Sequence, residues 1–550
     1  MKPKSSPVIR NPRLFFVIFG ILVLHGALIF NLYRLQIEKG EYYSNKAAAQ
    51  RGLLGDLNAR RGNIYISDKN NNHIPAALNK TYQVIFAVPK EIEDVQEAAG
   101  ILSDILGLDR EEIIRSLSKQ NDLYELIVRK ATADQIKSIQ EASIKGVYIE
   151  DEDYRFYPFG ELGSQLLGFV GAASEGRDSG KYGVESFYED ILRGEPGEIQ
   201  GDKVKKSVPG RDVYLTIDRN IQARAEEILQ GIAEKYQADS GTVIVEEPST
   251  GKILALGNYP NFDPNNYSKY PLGFFGNPAV QSLYEPGSIL KVITVASGLD
   301  AGKITPETKY YDTGSLTLNG KTIKNWDLKS HGYVTIREVI EQSINTGAAF
   351  AEAKLGHDNF YNYLVKFGLK EKTGIDLPGE IPGNLRNLEK SFREINFASA
   401  AFGQGISLTP IALINAFSAI ANGGMLMRPY ISADLNPEFV GRVISKEATE
   451  AITKIMISAV DKAEVAHIPK YYVAGKTGTA QIPDFKKGGY TDNVVNTYAG
   501  YAPAYDPRFV ILIKIENPAG APLAGATVVP AFRELAQFIL NYYNVPPDYE

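Results

Sequence analysis

In the segment EPGSILKVI (285–293), Ser288 and Lys291 stand three residues apart, after a Pro-Gly pair and at the head of an apolar run. Three residues is about one helical turn, so the two side chains share a face and the Lys291 amine can meet the Ser288 hydroxyl. Ile289, Leu290, Val292, Ile293 and Val295 predict a buried helix. Burial disfavours the ammonium form and turns the lysine into a base. A hydroxyl beside such a base is a nucleophile. The Pro286-Gly287 turn puts Ser288 at the helix N-terminus, where unpaired N–H groups and the dipole favour negative charge.

Ser-x-x-Lys also occurs as Ser116/Lys119, on the polar stretch RSLSKQND, and as Ser249/Lys252, in the turn PSTGK. The first reads as solvated surface and the second as ordinary turn chemistry. Two further signals favour Ser288. VIEQSINTG (339–347) closes an apolar helix with Ser343-Ile344-Asn345, which by itself is also what a helix C-terminal cap looks like. AGKTGTAQ (474–481) reads as a strand on which Lys476 and Thr477 project to opposite faces, and Gly478 leaves room for a ligand backbone. A peptide could pair with that strand, its terminal carboxylate near the Lys476 ammonium and the threonine hydroxyls. A second Lys-Thr-Gly, at Lys372-Thr373-Gly374, runs into Ile-Asp-Leu-Pro-Gly and reads as a structural loop.

The elements that must position these groups follow from pattern. RDVYLTIDRNIQARAEEILQGI (211–232) reads as a strand entering a helix, and residues 241–260 as a β-hairpin around Pro-Ser-Thr-Gly. Helices are expected to dominate from about 288 to 425. Strand-like runs then follow at 471–482, 496–503 and 508–516, and a closing helix at 528–545. Strands from both ends bracket a helical middle, so the expected class is α+β: one antiparallel sheet with an inserted helical lobe. Upstream, residues 61–205 mix short β-like runs such as TYQVIFAVP (81–89) with amphipathic helices such as DVQEAAGILSDILGL (94–108).

From Leu14 to Tyr33 twenty residues carry no formal charge, enough to cross a bilayer as a helix. Lys2, Lys4, Arg10 and Arg13 precede them and predict a cytoplasmic N-terminus. A cleaved signal peptide competes, but no small-residue cleavage site follows closely, so a retained anchor is favoured. Residues 34–60 read as helix continuing from it. The net charge of −6 gives no basic footprint for nucleic acid. The absence of cysteine excludes thiolate metal sites, thiol catalysis and disulfides. The five histidines (25, 73, 331, 357, 467) show no ligand spacing.

Ser-x-x-Lys, Ser-x-Asn and Lys-Thr-Gly in that order form the set shared by penicillin-binding proteins and serine β-lactamases. The chain resembles the class B penicillin-binding proteins, the monofunctional D,D-transpeptidases that cross-link bacterial peptidoglycan. ARRGNIYISDKNNN (59–72) is similar to their Arg-Gly-x-Ile stretch, with Lys69 in place of the usual arginine and Asn71 where glycine is common. YGVESFYEDILRGEPGE (182–198) is similar to the pedestal's Gly-x-Glu segment, and 402–424 and 497–518 to transpeptidase segments. The resemblance implies a cytoplasmic tail (1–13), an anchor (14–33), a pedestal domain of the dimerisation type (34–205) and a penicillin-binding transpeptidase domain (211–550).

It further implies that Ser288 attacks the penultimate D-alanine carbonyl of a stem peptide, with Lys291 as base. Ser343 and Lys476 would serve the leaving amine, and Asn345 would hold the substrate amide and orient Lys291. Thr477 and Thr479 would bind the carboxylate beside Gly478. The backbone N–H groups of Ser288 and Thr479 would form the oxyanion hole. Implied partners are D-Ala-D-Ala stem peptides, β-lactams, a membrane-embedded glycan polymerase and division or elongation proteins, with a lean towards the septal type; no cofactor or metal is implied. Two other readings stand beside it. One is a D,D-carboxypeptidase or β-lactamase-type hydrolase. The other is a non-catalytic penicillin sensor or divisome scaffold, although only residues 1–13 precede the span.

Overall fold

The computed structural model describes residues 12–34, 37, 39, 59–119, 122, 124–172, 178–200, 203–390, 393–484, 486–521 and 523–550. Most of the helix expected over 34–60 and of the tail 1–13 lies outside these residues. Grouped by contact, the chain forms two units: residues 1–62, 79–154 and 193–211, and residues 63–78, 155–192 and 212–550.

The first unit contains the apolar helix Pro12–Tyr33, whose described side chains from Phe16 onward are exposed. Its 22 residues span about 33 Å, the thickness of a bilayer core. The same unit holds helices Val95–Leu106, Arg110–Leu117 and Ala133–Ala142. Each starts on a side-chain cap, from Asp94, Asp109 and Thr132. Their apolar stripes (Ala98, Leu102, Ile113, Leu117, Ile136, Ile139) close over Ile85 and Ala87.

In the second unit Ile64–Ser67 pairs antiparallel with residues 73–77 and parallel with Val213–Asp218, which ties 63–78 to 212–550. Its centre is a sheet of β1 (Ser240–Glu247), β2 (Lys252–Tyr259), β3 (Ala474–Pro483), β4 (Tyr490–Ala502) and β5 (Phe509–Glu516). The order is β2-β1-β5-β4-β3 with every neighbour antiparallel, so β3 lies at an edge. The pleat sorts side chains by parity. Val243, Val245, Ile511 and Ile513 pack under α1 (Arg219–Lys235) and the C-terminal helix Val528–Tyr542. Ile244 and Leu512 face the opposite core.

That opposite core receives α2 (Leu290–Asp300), α3 (Ile336–Glu341), α4 (Asn345–Leu355) and α5 (Pro410–Ala421). Helix α2 is buried on every side from Leu290 to Gly298, as a helix apolar all round should be. Its hydroxyls are satisfied internally: Thr294 donates to the Ala401 carbonyl at 2.8 Å and Ser297 to Ile293 at 2.7 Å. The middle of the chain is less helical than its composition suggests. Between α2 and α3 lie two small antiparallel pairs, Lys309–Asp312 with Gly332–Thr335 and Ser315–Leu318 with Lys321–Lys324. The second is closed by Asn319-Gly320, both at positive φ (47° and 76°), the pair that a tight hairpin turn demands.

Candidate active site

Four segments meet here, β3 among them. The first is the turn before α2, where Gly287 takes φ +59° and donates its N–H to the Gly403 carbonyl at 3.1 Å. Residues 287–289 wind as a tight helical turn into α2, leaving Ser288 partly exposed and Lys291 fully buried. Glu285, just ahead, accepts from the Gly405 N–H at 2.9 Å and from the Tyr490 hydroxyl at 3.0 Å, which ties the turn to a neighbouring loop and to the start of β4.

The second segment is the turn between α3 and α4. Ser343 sits there in the left-handed region at φ +56°, uncommon for a side chain of this kind. Lys291 Nζ donates to the Ser343 carbonyl at 2.5 Å and to its Oγ at 3.2 Å. The third segment is β3, from which Lys476 Nζ reaches the same Oγ at 3.1 Å. Ser343 Oγ is therefore shared by two buried amines.

The electrostatics follow from burial. Lys476 is pushed down to about 7 by desolvation. Lys291 falls well below the usual lysine range, through burial first and the nearby Lys476 charge second. Among the described residues neither has an ion-pair partner. Two adjacent buried ammonium groups without a counter-charge are unfavourable, so one of the pair is held as a free amine.

On β3 the strand alternation turns Thr477 and Thr479 towards partial exposure while Lys476 and Gly478 are buried. Lys476 nonetheless bends back, with Nζ 3.1 Å from the Thr477 carbonyl and 3.2 Å from its hydroxyl, so these neighbours do not keep to opposite faces. The reason is length: four methylenes carry the amine past the strand edge. Gly478 also differs from expectation. What approaches it is the protein's own turn, since a Cβ there would stand 2.8 Å from the Pro286 carbonyl oxygen and 3.0 Å from Ile289. Thr479 Oγ1 accepts from the Ala524 N–H at 3.2 Å, in the fourth segment.

Two expected contacts are absent among the described residues: no hydrogen bond joins Ser288 to Lys291, and none joins Asn345 to Lys291. Asn345 opens α4 and its amide donates to the Lys324 carbonyl at 2.8 Å. The hydrogen bonds of Lys291 go to Ser343. Sequence reasoning missed Glu285, Gly403 and the chain's single tryptophan, Trp326, which donates to the Gln342 carbonyl at 3.0 Å beside the Ser343 turn.

The other copies of the motifs are engaged elsewhere. Lys119 is bound to Glu125 at 2.8 Å on the surface. Ser249 lies in the β1–β2 turn. Thr373 and Gly374 give their N–H groups to the carboxylate of Glu380, at 2.6 and 3.0 Å, inside a loop.

Comparison with known proteins shows which family the chain resembles in each part. The family described as penicillin binding protein transpeptidase domain matches residues 241–537, and the penicillin-binding protein dimerisation domain matches residues 56–219. Stage V sporulation protein D of Bacillus subtilis (strain 168) is 32% identical over 558 residues, covering 95% of this chain and 84% of that protein. Peptidoglycan D,D-transpeptidase FtsI of Escherichia coli (strain K12) is 28% identical, covering 92% and 85%. The crystal structure of penicillin-binding protein 3 from Mycobacterium tuberculosis complexed with aztreonam aligns with a TM-score of 0.68 at 26% identity, over 89% of this chain and 98% of that one. With both domains matched in order and a relative of this identity along nearly its whole length, the chain belongs to the class B penicillin-binding proteins.

Proposed function

We propose that the protein is a membrane-anchored peptidoglycan D,D-transpeptidase. The observation that carries this reading is the Ser343 hydroxyl held 3.2 Å from Lys291 Nζ and 3.1 Å from Lys476 Nζ, beside the turn that presents Ser288. Ser288 Oγ attacks the penultimate D-alanine carbonyl, and its proton goes to the Lys291 amine, which burial keeps free to accept it. The proton continues through Ser343 Oγ to the departing D-alanine amine. The acyl-enzyme is resolved by an amine of a second stem peptide, which returns a proton by the same route. Lys476, when charged, and the hydroxyls of Thr477 and Thr479 hold the terminal carboxylate. The N–H groups of Ser288 and Thr479 receive the oxyanion. Asn345 lines the donor peptide, which lies along the open edge of β3 as an added strand. β-Lactams acylate Ser288 as mimics of that peptide.

The basic residues before the apolar helix support an orientation with the N-terminus inside and the rest of the chain outside the membrane. Residues 1–13, 14–33, 34–205 and 211–550 serve as tail, anchor, pedestal and transpeptidase domain. The anchor and pedestal meet a membrane-embedded glycan polymerase and division or elongation proteins. Relatives named FtsI support work at the division septum. The higher identity to a stage V sporulation protein supports a second reading, wall synthesis during spore formation. Localisation of the tagged protein in dividing and sporulating cells separates the two.

The decisive experiment supplies lipid-linked glycan and a polymerase to the full-length protein in detergent. Cross-linked dimers with release of D-alanine are expected. Release without dimers would mean a hydrolase, and no release would mean a sensor or scaffold.

A further inference from the structure

Helix α4 begins directly after the Ser343 turn, and nothing local caps it: Ile344 occupies the N-cap position and offers no acceptor. The first N–H groups of a helix need partners from somewhere. Here the partner comes from the preceding hairpin. Asn325 Oδ1 accepts from the N–H of Asn345 at 3.1 Å and of Thr346 at 3.3 Å. Its amide nitrogen donates to Asp312 Oδ2 at 2.8 Å and to the Lys329 carbonyl at 3.0 Å. An ionised carboxylate only accepts, so this contact fixes which end of the amide faces α4.

Asp312 is clamped in turn. It accepts from the Thr346 hydroxyl at 2.6 Å, the Gly314 N–H at 2.9 Å and the His331 N–H at 2.9 Å. Asp312 and Asn325 are 0% and 1% exposed. The carbonyl just before Asn325, that of Lys324, holds the Asn345 side chain. A buried network with all its members bonded sets one geometry and no other.

We infer that Asp312 and Asn325 are positioning residues for acyl transfer: they fix the start of α4, and with it the Ser343 hydroxyl shared by Lys291 and Lys476. The inference rests on the transpeptidase reading above. Neither residue touches substrate; both act through the Ser343–Asn345 turn.

The test alters each member of the pair. Asn325→Asp sets two carboxylates face to face and a carboxylate oxygen against the Lys329 carbonyl, and Asp312→Asn sets two amides. The full-length protein in detergent is acylated with a fluorescent penicillin, and the rate constant at saturation, the apparent affinity and the thermal midpoint are read together. A rate constant per labelled molecule is insensitive to any misfolded fraction. Each variant is expected to slow acylation at saturation by about tenfold or more with affinity little changed. Rates within about threefold of wild type in both variants would overturn the inference. Should a single variant not fold, Thr346→Val serves: it keeps the backbone bonds but removes the hydroxyl from Asp312. Slowing there supports the clamp, and an unchanged rate refutes it. Absence of label on the unsubstituted protein would instead remove the transpeptidase reading itself.

Discussion

Lys291 Nζ lies 2.5 Å from the Ser343 carbonyl oxygen and 3.2 Å from the Ser343 hydroxyl. The carbonyl can hold the amine but cannot pass a proton on; the hydroxyl can do both. Ser343→Ala therefore keeps Lys291 in place and breaks the path to the leaving group. Proton transfer by a placed group is worth about 10²–10⁴ in rate. Acylation by a fluorescent penicillin is expected to slow by about a hundredfold, with the thermal midpoint little changed. A variant that acylates at the wild-type rate would show that the proton travels another way.

Loss of the nucleophile should be absolute where loss of the relay is partial. Ser288→Ala is expected to take no covalent label from the same probe. Ser116→Ala and Ser249→Ala should label as wild type, since one serine sits beside a surface ion pair and the other in the β1–β2 turn. Label retained on Ser288→Ala, read by peptide mapping, would place the acyl group on another residue.

The motif residues were legible because their contexts are local: a Pro-Gly turn, an apolar helix, a strand of small and hydroxyl residues. The sheet and its flanking helices were legible for the same reason, from period and turn signals. Contacts made by long side chains were not. That Lys291 spans to Ser343 and that Lys476 curls back to Thr477 depends on rotamers set by packing across the sequence. The role of Gly478 was half legible: the need for space shows in the residue, while the identity of the intruder, the Pro286 carbonyl, comes only with the fold. The hairpin at Asn319-Gly320 carried its own signal inside a stretch whose helices dominate the pattern.

Lys476 sets a pH limb. Burial lowers its pKa to about 7, so below that pH it is charged and above it neutral. A charged Lys476 holds a β-lactam carboxylate; a neutral one does so weakly. The second-order acylation constant for a carboxylate-bearing β-lactam should fall as pH rises through about 7. It should also fall on the acid side, where Lys291 takes up a proton. Lys476→Arg keeps the charge at all these pH values and should remove the alkaline limb. Lys372→Ala should leave the profile as it is. An alkaline limb that persists in Lys476→Arg would assign it to another group.

Gly478→Ala tests the close approach of the turn to β3. The added Cβ would meet the Pro286 carbonyl oxygen at 2.8 Å and Ile289 Cγ1 at 3.0 Å, both in the segment that presents Ser288. Overpacking of this sort costs about 1–3 kcal/mol and is relieved by moving backbone. The expected result is a lower thermal midpoint together with acylation slowed by about tenfold or more, because the part that moves carries the nucleophile. Unchanged acylation would mean that the strand yields and the turn does not.

Glu246 on β1 lies away from this chemistry and controls stability. It is 0% exposed, and neither carboxylate oxygen has a hydrogen-bond partner among the described residues. Burial pushes its carboxyl up to about 8, with the nearby Ser418 hydroxyl pulling the other way. The native chain thus keeps this proton up to about pH 8, whereas the unfolded chain releases it near the ordinary value of 4.5. Between those limits the folded state binds more protons, so the group's contribution to stability declines as pH rises through that window and is flat above it. Glu246→Gln mimics the protonated form at every pH. Its thermal midpoint should match wild type at the acid end of the window and exceed it at the alkaline end, with a free-energy gain on the order of a few kcal/mol. The comparison of the two proteins across pH cancels every other titrating group. Midpoints that run parallel from one end to the other would mean that Glu246 is not protonated in the fold, and that its buried charge has found a partner.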